Sequence, residues 1–259
     1  MPQPLSTFLK TGNYSLQFNA DALRDKPDFA ALIAEAIARW ARIEAGVGNI
    51  FVEMLGSEIN AGYAMFSALR ATTLQFQVIK STANSVLTGE ALEVFSATMG
   101  VVESVQPERN RLAHWLWGSS PQVPEGLLLI DPVYARDMNV RREKYQREFI
   151  KEMKLKVTVE EHMSFFKYDL SKIFVYRKSD LERINRDVLE VENIVGLATT
   201  YFDDGGALPS LFSAQTIPGW HPRWPLPTRD KLFAQLCALR PFAEALRQIR
   251  AKKIPEAQS

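Results

Sequence analysis

Cysteine is nearly missing from this sequence. Cys237 is the one such residue in 259, which excludes a disulfide framework and a thiolate metal cluster. Histidine is almost as scarce, and His114, His162 and His221 lie too far apart along the chain to suggest a metal centre by spacing, so no cofactor and no metal is expected. An excess of one charge sign is lacking too. With 31 basic and 30 acidic side chains and a formal net charge of +1, the chain is a poor candidate for wrapping duplex DNA by bulk charge, although a local basic groove stays open to it. No apolar run approaches the ~18 residues of a membrane span, and the start, MPQPLSTFLKTGNYSLQF, has no basic stretch followed by an apolar one. The expectation is a soluble, cytoplasmic chain with no membrane partner. Phosphate-cradling glycine loops, a nucleophile elbow, HExxH and a dinucleotide fingerprint are absent from the letters as well.

What is present is a 46% hydrophobic content, enough for one sizeable core or two small ones, and most of it falls at helical spacing. Ile33, Ile37, Trp40, Ile43, Val47, Ile50, Phe51 and Met54 mark one face of a long helix that Gly56 ends. Ser57 can cap a second helix through Ala61, Met65, Leu69, Phe76, Ile79, Ala83 and Val86. Gly46, Gly48 and Gly62 weaken these two helices unless a neighbour packs where the side chain is missing. A third helix follows Gly89 and carries Leu92, Phe95, Met99, Val102 and Val105. It should stop before Pro107, since proline suits the first turn of a new helix better than an interior. The new helix is short, from about Pro107 to Trp117, and Gly118 closes it.

Beyond this point the texture changes. Gly126 to Val133 (GLLLIDPV) and Lys172 to Tyr176 (KIFVY) have strand length and can pair as a small antiparallel ribbon. Between them, residues 141 to 156 hold seven basic and three acidic side chains, read as a solvated helix face with mixed-sign pairs or as an anion-binding surface. Ser179 to Glu182 (SDLE) reads as a capping box that starts a helix through Leu181, Ile184, Val188, Val191, Val195, Ala198 and Phe202. Prolines 209, 218, 222, 225 and 227 then mark an irregular arm anchored by Trp220 and Trp224. A closing helical stretch carries Leu232, Leu236 and Leu239, restarts at Pro241 and continues through Phe242, Leu246 and Ile249. The expected blocks are an N-terminal segment 1–27, a helical domain 28–206 with a charged insertion 126–177, and a Pro-rich arm with a terminal helix, 207–259.

The chemistry-bearing letters are ERNRLAHWLWG, Glu108 to Gly118. Asn110 and His114 are four apart and share a helix face, with Trp117 one turn further on. Arg109 stands at the amino end of the short helix, where its side chain and the helix terminus would both favour a phosphate. An imidazole can take a proton from a ribose 2′ hydroxyl, a guanidinium can stabilise the five-coordinate phosphorus, and an asparagine can orient either, with no metal needed. The same residues also have a purely structural reading: Arg109 pairs with a carboxylate, His114 is hydrogen-bonded at a helix junction, and Trp115 and Trp117 are core. His162, beside Glu160 and Glu161, reads as a surface or junction residue, and His221 belongs to the packed arm. Tyr176 and Arg177 end the second candidate strand and could approach the cleft.

Arg109, Asn110 and His114 in the order RNRLAH, after two long helices and a third, resemble the HEPN superfamily, whose signature is Arg, a polar residue, a few further residues and His. Four residues, Asn110 to Ala113, separate the Arg from the His. The resemblance covers about Asp28 to Asp203 and only its RNRLAH core is specific. It implies an all-α, up-and-down helical bundle, here with the small β-ribbon insertion and the Pro-rich arm as departures from the simplest pattern. It also implies a homodimer joining two motifs in one cleft, and metal-independent cleavage of RNA, in proteins that serve as toxins or in anti-phage defence. Carried over, Arg109, Asn110 and His114 would be catalytic, RNA the substrate, and an antitoxin or regulatory protein a further partner. The alternatives are a catalytically inactive HEPN-like module that binds nucleic acid, nucleotide or a partner protein, and a helical scaffold stapled by the motif.

Overall fold

The computed structural model describes residues 1–9, 14–19, 21–56, 59–69, 71–151, 168–203 and 227–253. They form a mostly helical chain with a five-stranded antiparallel sheet. The chain divides into two units that interleave along the sequence: Met1–Ile37 with Pro107–Arg186, and Ala38–Gln106 with Asp187–Ser259.

The first unit holds the sheet. Its strands are β1 (Gln3–Pro4), β2 (Gln17–Phe18), β3 (Leu116–Ser119), β4 (Leu127–Ile130) and β5 (Ile173–Tyr176), in the order β1-β5-β4-β3-β2. The expected ribbon is its centre: Leu127 pairs with Tyr176, Leu128 with Val175, Leu129 with Phe174 and Ile130 with Ile173. Every residue of β4 is buried, the pattern of a strand covered on both faces rather than one. One face joins Leu128, Ile130, Ile173 and Val175 to Leu5 and Ala135 in a core flanked by Phe8, Phe18, Tyr134 and Tyr168. An all-α chain with a two-stranded ribbon is therefore corrected to a mostly helical one with a larger sheet. The N-terminal segment supplies both edge strands, each only two residues long and so without a readable alternation.

Strand β4 ends sooner than GLLLIDPV suggests, because Asp131 Oδ1 accepts the backbone N–H groups of Val133 (2.7 Å) and Tyr134 (3.4 Å). That cap, with Pro132 in the first turn, starts a helix that runs Pro132–Lys151. Its charged part pairs Arg147 with Glu143 at 3.6 Å along one exposed face, and Arg142 lies over the Tyr168 ring at 4.5 Å. Residues 152–167, His162 among them, lie outside the described residues.

The second unit is built from helices. The long helix is Pro27–Leu55 and ends at Gly56, whose φ of +55° suits glycine. The expected second helix is two, Ile59–Ala68 and Thr72–Val86, and its cap Ser57 lies outside the described residues. Arg39 and Arg42 both reach Glu192 at 2.9 Å, on a helix that runs Lys178–Phe202. A Cβ at Gly46 would stand 2.5 Å from Val195 Cγ1, and one at Gly48 would stand 2.9 Å from the Phe66 ring. Close approach by a neighbour thus accounts for glycine at both positions. Arg229–Ala238 and Arg240–Lys253 form the closing pair of helices, while the arm with Trp220, His221 and Trp224 lies outside the described residues. No helix among the described residues is long and apolar enough to cross a membrane.

Numbered in chain order, Asp21–Arg24 is α1, Pro27–Leu55 α2, Ile59–Ala68 α3, Thr72–Val86 α4, Gly89–His114 α5, Pro132–Lys151 α6, Lys178–Phe202 α7, Arg229–Ala238 α8 and Arg240–Lys253 α9. The start of α7 corrects the expected capping box. Its first helical residue is Lys178, and the Asp180 carboxylate accepts the Arg177 backbone N–H at 3.1 Å. The reaching-back acid is therefore Asp180 in place of Glu182, two positions earlier than SDLE suggests.

Candidate functional site

The RNRLAH motif does not open a short helix. Helix α5 is continuous from Gly89 to His114, with Pro107 inside it. Proline removes the N–H that would bond Glu103 C=O and costs about 3 kcal/mol in a helix interior. Here the ring is exposed, and the helix is held by buried Met99, Val101 and Val102 before it and Leu112 after it. The consequence for electrostatics is a reversal. Arg109, Asn110 and His114 occupy the carboxyl-terminal turns, where the partial charge is negative and favours cations, so the helix dipole gives a bound phosphate no help.

A helix turns about 100° per residue. Glu108, Arg111, Leu112 and Trp115 consequently fall within one stripe, and Asn110 and His114 stand on the opposite side. The first stripe is tied into the sheet unit. Arg111 Nη1 meets Glu108 Oε1 at 2.9 Å, Tyr176 Oη donates to Glu108 Oε2 at 3.0 Å, and the Arg111 guanidinium lies 5.5 Å from the ring centres of both Trp115 and Phe174. Trp115 and Phe174 themselves pack at 5.8 Å. Burial, with the Glu108 carboxylate and its hydrogen bond adding to it, pushes the Tyr176 hydroxyl far above the ordinary tyrosine range. It therefore stays protonated and donating at any working pH.

On the other side, Arg109 Nη1 donates to Asn110 Oδ1 at 3.1 Å. Arg109 and Asn110 are half-buried and His114 is exposed. The fold thus joins Arg109 to Asn110 and presents His114 one turn further along the Asn110 face, open to solvent. Among the described residues no hydrogen bond of His114 supports the junction histidine of the structural reading. Trp117 does not continue the stripe: it belongs to β3 opposite Leu129, because the helix stops at His114. Of the other two candidates, Tyr176 reaches Glu108, next to Arg109 in sequence, whereas Arg177 lies over the Phe8 ring at 5.0 Å and takes no part.

Sequence reasoning missed Glu108 and Arg111, although their spacing of three on a helix is a readable ion-pair signal. Among the described residues, no group of three or more His, Cys, Asp or Glu is placed to hold a metal ion. No protein-family model, curated protein or solved structure matches this chain.

Proposed function

We propose that the chain is a metal-independent endoribonuclease of HEPN type, working as a homodimer in a toxin or anti-phage role. The observation that carries this reading is the division of labour along the end of α5. Glu108, Arg111 and Trp115 hold the helix to the sheet, while Arg109 donates to Asn110 and His114 is exposed on the Asn110 face. In this reading the His114 imidazole takes the ribose 2′ proton or returns one to the leaving 5′ oxygen, Arg109 stabilises the charge on the five-coordinate phosphorus, and Asn110 positions Arg109. A second copy of the motif completes the cleft.

The test uses the purified full chain, single-stranded RNA and a chelator. Cutting should persist, the products should end in a 2′,3′-cyclic phosphate, and DNA of the same sequence should survive. Arg109→Ala and His114→Ala should each abolish cutting while the circular dichroism is kept. Equal loss from His162→Ala would move the chemistry to another histidine. The near-zero net charge favours the inactive, binding HEPN-like module instead. That reading takes over if the pure dimer cuts no RNA pool, alone or with an added neighbouring-gene product.

A further inference from the structure

One residue beyond His114 the chain enters a groove of about 450 Å³ whose walls include Trp115, Phe174, Tyr134, Asp131, Asp137 and Lys172. Its aromatic walls are held in place. Trp115 and Phe174 are tilted by 57° at 5.8 Å and share the Arg111 guanidinium, and the Tyr134 hydroxyl accepts the Asp169 backbone N–H at 2.8 Å. Two carboxylates border these rings in different states. Asp131 spends an oxygen capping α6, whereas Asp137 is exposed and among the described residues meets only Arg136, at 3.4 Å with both side chains more than half exposed. A pair of that kind contributes little and is readily exchanged for a ligand. Lys172 is exposed at the same rim.

Two half-buried rings at an angle, a carboxylate open to solvent and a lysine make a site for a flat ring that carries hydrogen-bond donors and a neighbouring phosphate. Nucleobases stack on aromatic side chains, and in single-stranded RNA their edges are free to be read. The carboxylate chooses among them. An ionised carboxylate only accepts, and guanine alone presents two adjacent donors, N1–H and the 2-amino group, on its pairing edge. Adenine offers one amino group beside an acceptor, and uracil one N–H between two carbonyls.

We infer that this groove is a guanine subsite, in which the base stacks on Trp115 and Asp137 accepts from its N1–H and 2-amino group, with Lys172 facing the phosphate. The inference rests on the ribonuclease reading for its substrate class alone. Binding and cutting are separable, because none of these groove residues belongs to the Arg109, Asn110 and His114 set.

The experiment is calorimetric titration of the full chain carrying His114→Ala with guanosine, adenosine, cytidine and uridine 3′-monophosphates. Guanosine monophosphate should bind roughly 5-fold or more tighter than the adenosine and uridine compounds, the discrimination one good bidentate contact gives. Asp137→Asn should level the guanosine and adenosine compounds, and Trp115→Ala should weaken guanosine binding by roughly 5-fold or more. Asp137 is exposed, so its variant folds even if Trp115→Ala does not. Equal binding of all four, guanosine binding indifferent to Asp137→Asn, or no binding at about 1 mM overturns the subsite. If the wild-type chain cuts RNA without a guanine preference, the subsite fails and the ribonuclease stands. If guanosine binds as described and no RNA is ever cut, the ribonuclease fails and the subsite stands.

Discussion

Arg111→Ala and His114→Ala, three residues apart at the end of α5, should separate in stability. Arg111 loses an ion pair at 2.9 Å to Glu108, with side chains 34% and 27% exposed, a contribution of about 0.5–1 kcal/mol at that exposure. It also loses two guanidinium contacts with aromatic rings at 5.5 Å, about 0.5–1 kcal/mol each. The sum is a destabilisation of about 1.5–3 kcal/mol, felt by a Glu108 carboxylate then left with the Tyr176 hydroxyl. His114 is exposed, and a surface substitution of that kind stays within about 0.5 kcal/mol. Alanine, as the better helix former, returns up to about 0.7 kcal/mol. Urea titrations followed by far-ultraviolet circular dichroism should therefore show a lowered midpoint for Arg111→Ala and an unmoved or slightly raised one for His114→Ala. Tyr176→Phe, which deletes the 3.0 Å bond to Glu108, should fall between them at about 1 kcal/mol. A loss of 2 kcal/mol or more, roughly the Arg111 figure, from His114→Ala with a silent Arg111→Ala would reverse the two faces. The motif would then be a staple of the fold.

Other outcomes follow from the same geometry. Burial pushes the Glu192 carboxyl up, but Arg42 and Arg39 outweigh it and hold the group below the usual glutamate range. Its contribution is therefore full above the unfolded value, about 4.3, and is lost as the pH falls through the lower folded one. Glu192→Gln should cost about 1–3 kcal/mol near neutrality and almost nothing in strong acid. A pH-independent loss measured by denaturation would contradict that sign. At Gly118 a Cβ would stand 2.6 Å from Gln17 O and 2.5 Å from the Phe18 ring, so Gly118→Ala should push β2 off the sheet edge at about 1–3 kcal/mol. Hydrogen exchange of residues 14–19 should rise selectively, and unchanged protection would place β2 elsewhere. Sedimentation at micromolar concentration should report about twice 29.3 kDa if the motif cleft is composite. A monomer would count against the shared cleft.

Much of the helical fold is legible in the letters because burial on a helix leaves a period. Trp40, Ile43, Val47, Ile50 and Phe51 recur at three and four residues and are all buried. The ribbon is legible for a different reason, since LLLI and IFVY are too short and too apolar for anything but buried strands. Strands β1, β2 and β3 left no such trace. Two of them are single pairs of residues at sheet edges, and β3 hides inside LWGS directly after a helix. There the tryptophan spacing imitates one more turn. The break between α3 and α4 is equally silent, because Ala71 caps α4 without a side-chain hydrogen bond.

Pro107 is where local reasoning misled most, and it matters most for function. Read by propensity, a proline starts a helix and puts Arg109 at a positive terminus made for phosphate. In the fold, burial of Val101 and Val102 on one side and Leu112 on the other carries the helix through. The same three polar residues then stand at the negative end. A phosphate held there must be paired by side chains alone: the Arg109 guanidinium or a second copy of it across a dimer. An Arg109→Lys chain would keep the charge but lose the planar fork that bonds Asn110 and a phosphate together. It should keep the fold and, if the ribonuclease reading holds, lose most of its cutting. If lysine serves as well as arginine, Arg109 acts as a bare charge and the hydrogen bond to Asn110 has no part in the chemistry.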